Sequence, residues 1–480
     1  MSSAVAKPEP IEWFAQFGVD AMVTRRVLAE AARNGADDAD VYFEHSTSTT
    51  VSLQDRKVNR AHLSVDLGVG IRVVVGDQVG YAYTEDLSIE SMLEAARVAS
   101  QIAKGGGGHA PVNTTRVKVR DFYPTNSPWS DMELKARIPM VRRWEERAFQ
   151  HDKRIDKVQT SLSDVDKHVL VVTLDGHMAA DYRPMTRAFV SVAAIDGKLR
   201  ESGSYNVASR RGIDFYDDAV QDRLVDQACL RAIQALHAGM PPAGEMPVVM
   251  AAGSSGILLH EAIGHGMEAD FNRKGISIYA DKLNKSIAPK DVTIVDDATL
   301  PGARGSLNVD DEACETERTV LVDKGVLRTY LHDKISARHY GVKSTGSGRR
   351  ESFRHPVLPR MRTTYMEPGP HAPEDIIKSV KYGLYCDTFQ NGQVQIGAGD
   401  FAFYVRSGFL IEDGKLTRPV KDVNLIGNGP QVLESIEMVG NDLVIDEGGW
   451  TCGKDGQSVP VGQGMPTVKV AKLSVGGGAK

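Results

Sequence analysis

The sequence predicts an α+β fold of two domains, built mainly from antiparallel sheets with helices. Two observations carry this prediction. Short segments in which apolar and polar residues alternate follow one another from Ala39 to Tyr83, a pattern typical of neighbouring antiparallel strands. Helical patterns lie between groups of such segments and do not alternate with single strands, as they would in a parallel βαβ sheet.

Amphipathic helices are predicted at several places in the first half of the chain. Their apolar residues recur every three to four positions, over Val23–Asn34, Ser88–Lys104, Met132–Asp152 and Ala219–Ala238. Between the last two helices, Asp-Gly pairs at 175–176 and 196–197 are strong hairpin signals, so we expect antiparallel strands on either side of each pair.

A proline-rich stretch, Met240–Pro247, is the best linker candidate in the chain. We therefore predict an N-terminal α+β domain over residues 1–241 and a strand-rich C-terminal domain over residues 242–480. The C-terminal part contains the most informative motif of the sequence, which directly follows a short apolar run.

That motif, HEAIGH at residues 260–265, places two imidazoles and a carboxylate close together. Two neutral histidines are common zinc ligands, and Glu261 stands where a metalloprotease keeps its general base. The spacing is HExxxH, and residues five apart on an ideal helix differ by about 140° in direction. His260 and His265 can share one ion only if the helix contains a π-bulge or ends near Gly264. We expect Gly264 and Gly266 to supply the backbone freedom for that distortion.

Cys452 is the best candidate for a third ligand. The four cysteines form no CxxC pair, and Cys452 alone lies in a glycine-rich segment, predicted as a loop, with no apolar periodicity to explain a buried thiol. Lys454 is expected to favour the thiolate. Glu268 is the alternative third ligand, and Glu268 or Asp270 could instead orient a histidine.

Three separated motifs carry a resemblance to a known family. They read HEAIGHGMEADFNRKG, SGRRESFRHPVLPRMRTTYMEPG and CGKDGQSVPVGQGMP, in that order. The chain resembles the TldD/PmbA family of zinc metallopeptidases over its whole length, and specifically the TldD branch, which keeps the metal motif. The resemblance implies one Zn²⁺ per chain on His260, His265 and Cys452, with Glu261 as general base. It also implies hydrolysis of peptides or unfolded polypeptides by a metal-activated water, and a heterodimer with a PmbA/TldE-like paralogue.

A run of basic residues between the second and third motifs could contact substrate. Arginine forks suit carboxylates and peptide carbonyls, so Arg349, Arg350 and Arg354 are substrate-binding candidates, and His355 and Tyr365 could stabilise an oxyanion. The alternative is a solvated charged face. Two acidic clusters, at residues 296–297 and 310–312, lack a calcium-loop pattern and are predicted to lie on the surface.

Composition narrows the class of protein. A net charge of −6 offers no basic field for a phosphate backbone, so direct nucleic-acid binding is not expected. No apolar run approaches the roughly 20 residues of a membrane span, and the start of the chain has no signal-peptide pattern, so a cytoplasmic location is predicted.

Two alternatives to a peptidase are a non-catalytic regulatory protein of the gyrase-modulator type and a zinc hydrolase of non-peptide amides.

Overall fold

The structure is a computed structural model that describes residues 10–103 and 114–476. Its mixture of helices and mostly antiparallel sheets confirms the predicted α+β class. The glycine run at 105–108 lies outside the described residues.

The N-terminal sheet has seven strands. They are β1 (Asp38–Gln54), β2 (Lys57–Val75), β3 (Gln78–Thr84), β4 (Thr115–Arg116), β5 (Ile155–Thr173), β6 (His177–Asp196) and β7 (Leu199–Ser209). The order is β3-β2-β1-β5-β6, with both β7 and the short β4 paired to β6. Only β4 runs parallel to its neighbour. The predicted hairpin turns are confirmed, because Gly176 and Gly197 take the left-handed φ values of 86° and 60° between paired strands.

The prediction of short strands from Ala39 to Tyr83 was wrong in length. Single strands of 17 and 19 residues, β1 and β2, replace the shorter predicted segments. Two glycines lie inside β2 at positions where other side chains fill the space above them. A Cβ on Gly68 would lie 2.2 Å from the Phe353 ring, and a Cβ on Gly70 would lie 2.0 Å from the Tyr81 hydroxyl.

Helices near their predicted positions cover this sheet. They are α1 (Ala21–Ala31), α2 (Ile89–Ser100), α3 (Leu134–His151) and α4 (Asp218–Leu236). α1 begins where the Asp20 carboxylate accepts two backbone N–H groups, and Asp217 caps α4 in the same way with one. α1 and α2 share one hydrophobic core with β1 and β2, whereas α3 and α4 form a second core with β5 and β6.

The C-terminal strands form two sheets of six strands and two of two strands. They are β8 (Gly244–Met250), β9 (Ile294–Asp297), β10 (Arg318–Asp323), β11 (Val326–Leu327), β12 (Gly348–Arg349), β13 (Leu358–Pro359), β14 (Thr363–Met366), β15 (Tyr382–Val394), β16 (Asp400–Glu412), β17 (Lys415–Asn428), β18 (Ile436–Val439), β19 (Val444–Ile445), β20 (Thr451–Lys454), β21 (Gln457–Pro460), β22 (Gly462–Met465) and β23 (Val468–Gly476). One large sheet has the order β17-β16-β15-β8-β23-β18, and a further pairing of β17 with β23 closes five of these strands into a ring.

Short helices connect these strands. They are α5 (Ile257–Leu259), α6 (Ala269–Arg273), α7 (Lys334–Tyr340), α8 (Pro373–Lys378) and α9 (Gly429–Glu434). The apolar run of α5 lies in the large C-terminal core beside residues of β15 and β16, so the metal motif that follows it starts inside the protein. In the described ranges no helix is both long and apolar enough to cross a membrane.

A buried network of ion pairs joins the two parts of the chain, and we call it the ion-pair network. Arg72 of β2 pairs with Asp40 at 2.5 Å and with Glu312 at 2.6 Å, and Arg350 pairs with Asp40 at 2.8 Å. Asp311 belongs to it through the Arg183 side chain. The prediction that the acidic clusters lie on the surface was wrong, since all five carboxylates are buried. Asp296, Asp311 and Glu312 pair with arginines that are distant in sequence. The division at residues 241/242 stays a prediction.

Candidate metal centre

The helix that carries the two histidines is distorted in the way its spacing predicts. After α5 the backbone forms a π-helix over His260–Gly264, followed by a single 3₁₀ turn, His265–Met267. The N–H of His265 donates to the carbonyl of His260, five residues earlier, so the segment holds one extra residue in its turn. The predicted bulge is confirmed, and it turns both imidazoles to one side.

The glycines of this helix have a different role from the one predicted. Gly264 has an ordinary helical φ of −58°, so the bulge does not use its conformational freedom. A Cβ there would lie 2.0 Å from Met361 Sδ, and a Cβ on Gly266 would lie 2.7 Å from the Tyr279 ring. A larger residue at either position would force a neighbouring side chain to move, because the bulged helix packs closely against Met361 and Tyr279.

Cys452 lies on a strand and not in the predicted loop. β20 and β21 pair as an antiparallel hairpin in which Cys452 faces Val459. The turn is made by Asp455 and Gly456, with φ values of 49° and 73°. Alternation along β20 exposes Thr451 and buries Cys452, so the pleat directs this thiol into the core.

The bulged helix and the hairpin bring three donor side chains together. Candidate ligand atoms of His260, His265 and Cys452 all lie within 4.8 Å of one another. Cys452 Sγ is 3.4 Å from His265 Nε2, and the two imidazole rings stand nearly perpendicular with centroids 5.0 Å apart. All three residues are at least nine-tenths buried.

The histidines also determine the protonation state of the Cys452 thiol. Burial raises the pKa of Cys452, but His260 and His265 outweigh burial and hold that pKa well below its usual range.

Lys454 has another role than the predicted one. Its ammonium lies 2.7 Å from an oxygen of Asp270 and 3.2 Å from one of Glu268.

Glu268 contacts a histidine from the side away from the thiol. Its Oε2 is 3.0 Å from His265 Nδ1, which leaves Nε2 of the same ring directed at Cys452. Burial works against ionisation of Glu268, but Lys454 and His265 lower its pKa to about 2. A carboxylate on the outer nitrogen fixes the orientation of a ligating imidazole. Glu268 therefore fits the predicted orienting role, and it is not among the three convergent donors.

Glu261 is partly exposed beside this cluster. Burial raises the pKa of its carboxyl, while the neighbouring His260 and His265 act in the opposite direction. Strand β15 passes close by, since a Cβ on Gly392 would lie 3.4 Å from Glu261 Cγ. A raised pKa brings a carboxyl nearer to the range in which a group can act first as a base and then as an acid.

The donor set fits zinc. Two imidazoles and one thiolate are the nitrogen and sulfur ligands that zinc favours, and three protein ligands leave a position for water or substrate, as in catalytic sites. Nδ1 of His260 is buried without a hydrogen-bond partner among the described residues. A buried nitrogen of this kind is costly unless something satisfies it.

The structure does not gather the predicted substrate contacts around this cluster. Arg349 donates to the carbonyls of Met361 and Pro460 at 2.5 and 2.7 Å, and Arg350 belongs to the ion-pair network. Arg354 pairs with Asp66 and Glu85, and His355 lies 3.1 Å from the hydroxyl of Ser352. Tyr365 donates to Asp297 at 3.3 Å. In the described ranges, none of the five forms a hydrogen bond with Glu261, His260, His265 or Cys452.

One residue that supports the centre was not predicted. The Arg360 guanidinium donates to the carbonyl of Cys452 at 2.6 Å, and its Nε lies 3.8 Å from Glu268. It therefore links the hairpin to the carboxylate that orients His265. The sequence showed Arg360 only as part of a basic run, with no spacing that connects it to position 452.

Comparison of the sequence with known proteins shows which family the chain belongs to. Sequence models of the PmbA/TldA metallopeptidase domain 1, central domain and C-terminal domain match residues 39–103, 127–236 and 243–477. The metalloprotease TldD homolog of Haemophilus influenzae is 40% identical over 448 residues, which cover 92% of this chain and 93% of that protein. The chain belongs to the PmbA/TldD metallopeptidase family. The family resemblance in its sequence is thereby confirmed.

More distant relatives are also similar to this chain over most of its length. The zinc metalloprotease TldD homolog of Saccharolobus solfataricus is 26% identical, covering 94% of this chain and 99% of that one. Crystallised TldE from Thermococcus kodakarensis has the same fold, with a TM-score of 0.74 at 18% identity, 95% coverage of this chain and 100% of that one. A Thermotoga maritima structure described as a candidate modulator of a DNA gyrase also matches, with a TM-score of 0.78 at 21% identity and coverages of 95% and 99%.

Proposed function

We propose that this protein is a zinc-dependent peptidase that hydrolyses peptides or unfolded polypeptides. The observation that carries the proposal is the convergence of His260, His265 and Cys452, buried and within 4.8 Å of one another, with Glu261 beside them. Relatives across most of the chain are named metalloproteases, and one is named a zinc metalloprotease. In this proposal one Zn²⁺ per chain is held by the two imidazoles and the thiolate.

When bound, zinc would supply Lewis acidity, lowering the pKa of a coordinated water and offsetting negative charge on the scissile carbonyl. Glu261 is proposed as the general base that takes a proton from water and delivers it to the leaving amine. Its raised pKa supports both halves of that role. Glu268 holds His265 in place, and Arg360 and Lys454 hold Glu268 and the hairpin.

We further propose that the active form includes a TldE-like paralogue, because a TldE chain shares this fold. A cytoplasmic site of action, where thiols stay reduced, is part of the same proposal, and it suits a site that depends on the free thiol of Cys452.

The test is hydrolysis of unfolded peptides by the purified protein, alone and with its paralogue, with and without a chelator. The proposal expects turnover that the chelator abolishes and added Zn²⁺ restores. Zinc binding without hydrolysis of any peptide would favour a regulatory protein. Hydrolysis of small non-peptide amides alone would favour the other alternative.

A second measurement tests the ligand set itself. Cys452→Ala removes the sulfur donor and should lower the zinc content of the purified protein from one equivalent towards zero. Cys386→Ala is the matched control, because that thiol is equally buried but lies apart from the three donors. Full, tightly bound zinc in Cys452→Ala would remove this residue from the site.

A further inference from the structure

Arginines near the hairpin of Cys452 differ in their partners from arginines elsewhere in the core. Guanidiniums elsewhere in the core face carboxylates, as in Arg137 with Asp164 at 2.8 Å and Arg362 with Asp296 at 2.5 Å. Among the described residues, four arginines around the hairpin have no carboxylate within salt-bridge distance. We call them the arginine cluster, and they are Arg187, Arg210, Arg304 and Arg349.

Two members of the arginine cluster hold the hairpin at the end where β20 begins and β21 finishes. Arg304 Nε donates to the carbonyl of Trp450 at 2.9 Å, two residues before Cys452. Arg349 donates to the carbonyl of Pro460 at 2.7 Å, and Pro460 is the strand partner of Thr451. Backbone carbonyls accept these hydrogen bonds but leave the positive charges uncompensated.

Arg210 is close enough to both of these arginines to repel their charges. It is only 3% exposed, and its Nε is buried without a hydrogen-bond partner. Its guanidinium stacks over the Tyr123 ring at 5.2 Å. Burial, with repulsion from Arg187 and Arg210, lowers the pKa of Arg304 to about 9. Burial, with repulsion from Arg210 and Arg360, lowers the pKa of Arg349 to about 9 as well.

The carboxylates of the adjoining loop do not neutralise this charge. Asp446 accepts hydrogen bonds from the N–H of Gly448 and from Trp450 Nε1, at 2.6 and 2.8 Å. Glu447 pairs with Arg223 at 2.7 Å. Asp181 and Asp311 act on Arg210, and Asp311 acts on Arg349, only from beyond salt-bridge distance. Partly buried positive charge without a directly paired carboxylate is costly, and an anion from outside the chain would relieve it.

The cluster is also open to solvent on one side. Arg187 is exposed, Arg304 is half-buried, and Thr451, which lies next to Cys452 on β20, is exposed. An anion can therefore reach the guanidiniums from the exposed face of the hairpin, one residue along β20 from Cys452. Arginine forks bind carboxylates with paired, charge-assisted hydrogen bonds.

We propose that the arginine cluster binds a carboxylate of the peptide substrate and so favours peptides that carry one. This inference rests on the proposed peptidase function and adds a substrate class to it. The carboxylate has two possible sources with the same chemistry, namely a free C-terminus and an aspartate or glutamate side chain.

The experiment measures binding and not turnover, so that it does not depend on hydrolysis. Fluorescence anisotropy would give Kd values for three labelled peptides on zinc-loaded Glu261→Gln. One peptide is neutral with an amidated C-terminus, one has a free C-terminus, and one is amidated with a glutamate in place of a glutamine. We expect at least one carboxylate peptide to bind roughly 10-fold or more tightly than the neutral one, and the peptide that does so identifies the source.

Arg304→Gln then tests the arginine, because glutamine can still donate to the carbonyl of Trp450 while the charge is lost. We expect it to remove the preference for the carboxylate and to leave the Kd of the neutral peptide within about twofold. Arg304→Lys should keep part of the preference. Arg223→Gln is the matched control, since Arg223 also holds this loop but pairs with Glu447, and the preference should survive there.

Equal binding of all three peptides would overturn the inference. So would an Arg304→Gln variant that weakens all three peptides equally, because the arginine would then only support the hairpin. Failure of the proposed function would be seen separately, as a lack of chelator-sensitive hydrolysis.

Discussion

The ion-pair network and the metal centre are both buried groups of ionisable side chains, but their charges are satisfied differently. In the network, Asp40 lies between the guanidiniums of Arg72 and Arg350, so each charge has its opposite within the chain. At the metal centre, lone pairs of two imidazoles and a thiolate converge on one another. A buried group of paired opposite charges contributes to the fold, whereas a group of nitrogen and sulfur donors that converge is suited to bind a cation.

We expect zinc binding at the metal centre to depend on the π-bulge itself. Deleting Ala262 would convert HExxxH to the regular HExxH spacing, yet we expect it to abolish zinc binding. Every later side chain would rotate by about 100°, which moves His265 away from Cys452 and Met267 out of the core. Zinc content by elemental analysis measures this, with Ala262→Gly as the control that keeps the chain length. One equivalent of zinc in the deletion variant would show that the bulge is dispensable.

Mutations in the ion-pair network should lower the free energy of unfolding. Arg350→Met leaves a buried carboxylate of Asp40 short of one partner, and we expect a loss of about 3–5 kcal/mol in the free energy of unfolding. Arg354→Met is the matched control from the same basic run, where Arg354 is one-third exposed and its pairs are screened. Its loss should stay below about 1 kcal/mol. Urea unfolding measures both losses. Similar losses in the two variants would show that the buried ion pairs of Arg350 stabilise the fold no more than the exposed ion pairs of Arg354.

A smaller effect is expected at the carboxylate that orients His265. Glu268→Gln keeps the shape but loses the charge, and we expect zinc affinity to fall by about 10–100-fold. Competition with a chromogenic chelator measures that affinity. Asp270→Asn is the control, because Asp270 contacts Lys454 and not a histidine. An unchanged affinity in Glu268→Gln would mean that the hairpin alone holds His265 in position.

The sequence was informative where one chemical constraint decided the outcome. Two histidines five residues apart can share an ion only through a bulge, and the π-helix from His260 to Gly264 has that form. Helix patterns and Asp-Gly turns were predicted well for the same reason, since each depends on local backbone geometry.

The sequence was uninformative where the partner is distant along the chain. Arg350 has Asp40 as its partner, 310 positions away, and nothing local in the run of arginines indicates that pairing. Gly68 and Gly70 are covered by the side chains of Phe353 and Tyr81, which come from elsewhere in the chain, and no local pattern indicates that contact. Roles of Glu261, His260, His265 and Cys452 in metal binding and catalysis stay predictions.

The most direct measurement is zinc content and peptide turnover on one preparation of Glu261→Gln. Glutamine preserves the shape of the side chain but cannot accept a proton, and Glu261 is not one of the three convergent donors. We expect about one equivalent of zinc, as in the unmodified protein, together with turnover reduced by roughly 10²-fold or more. Near-normal turnover with zinc retained would contradict it, because another residue would then be the base.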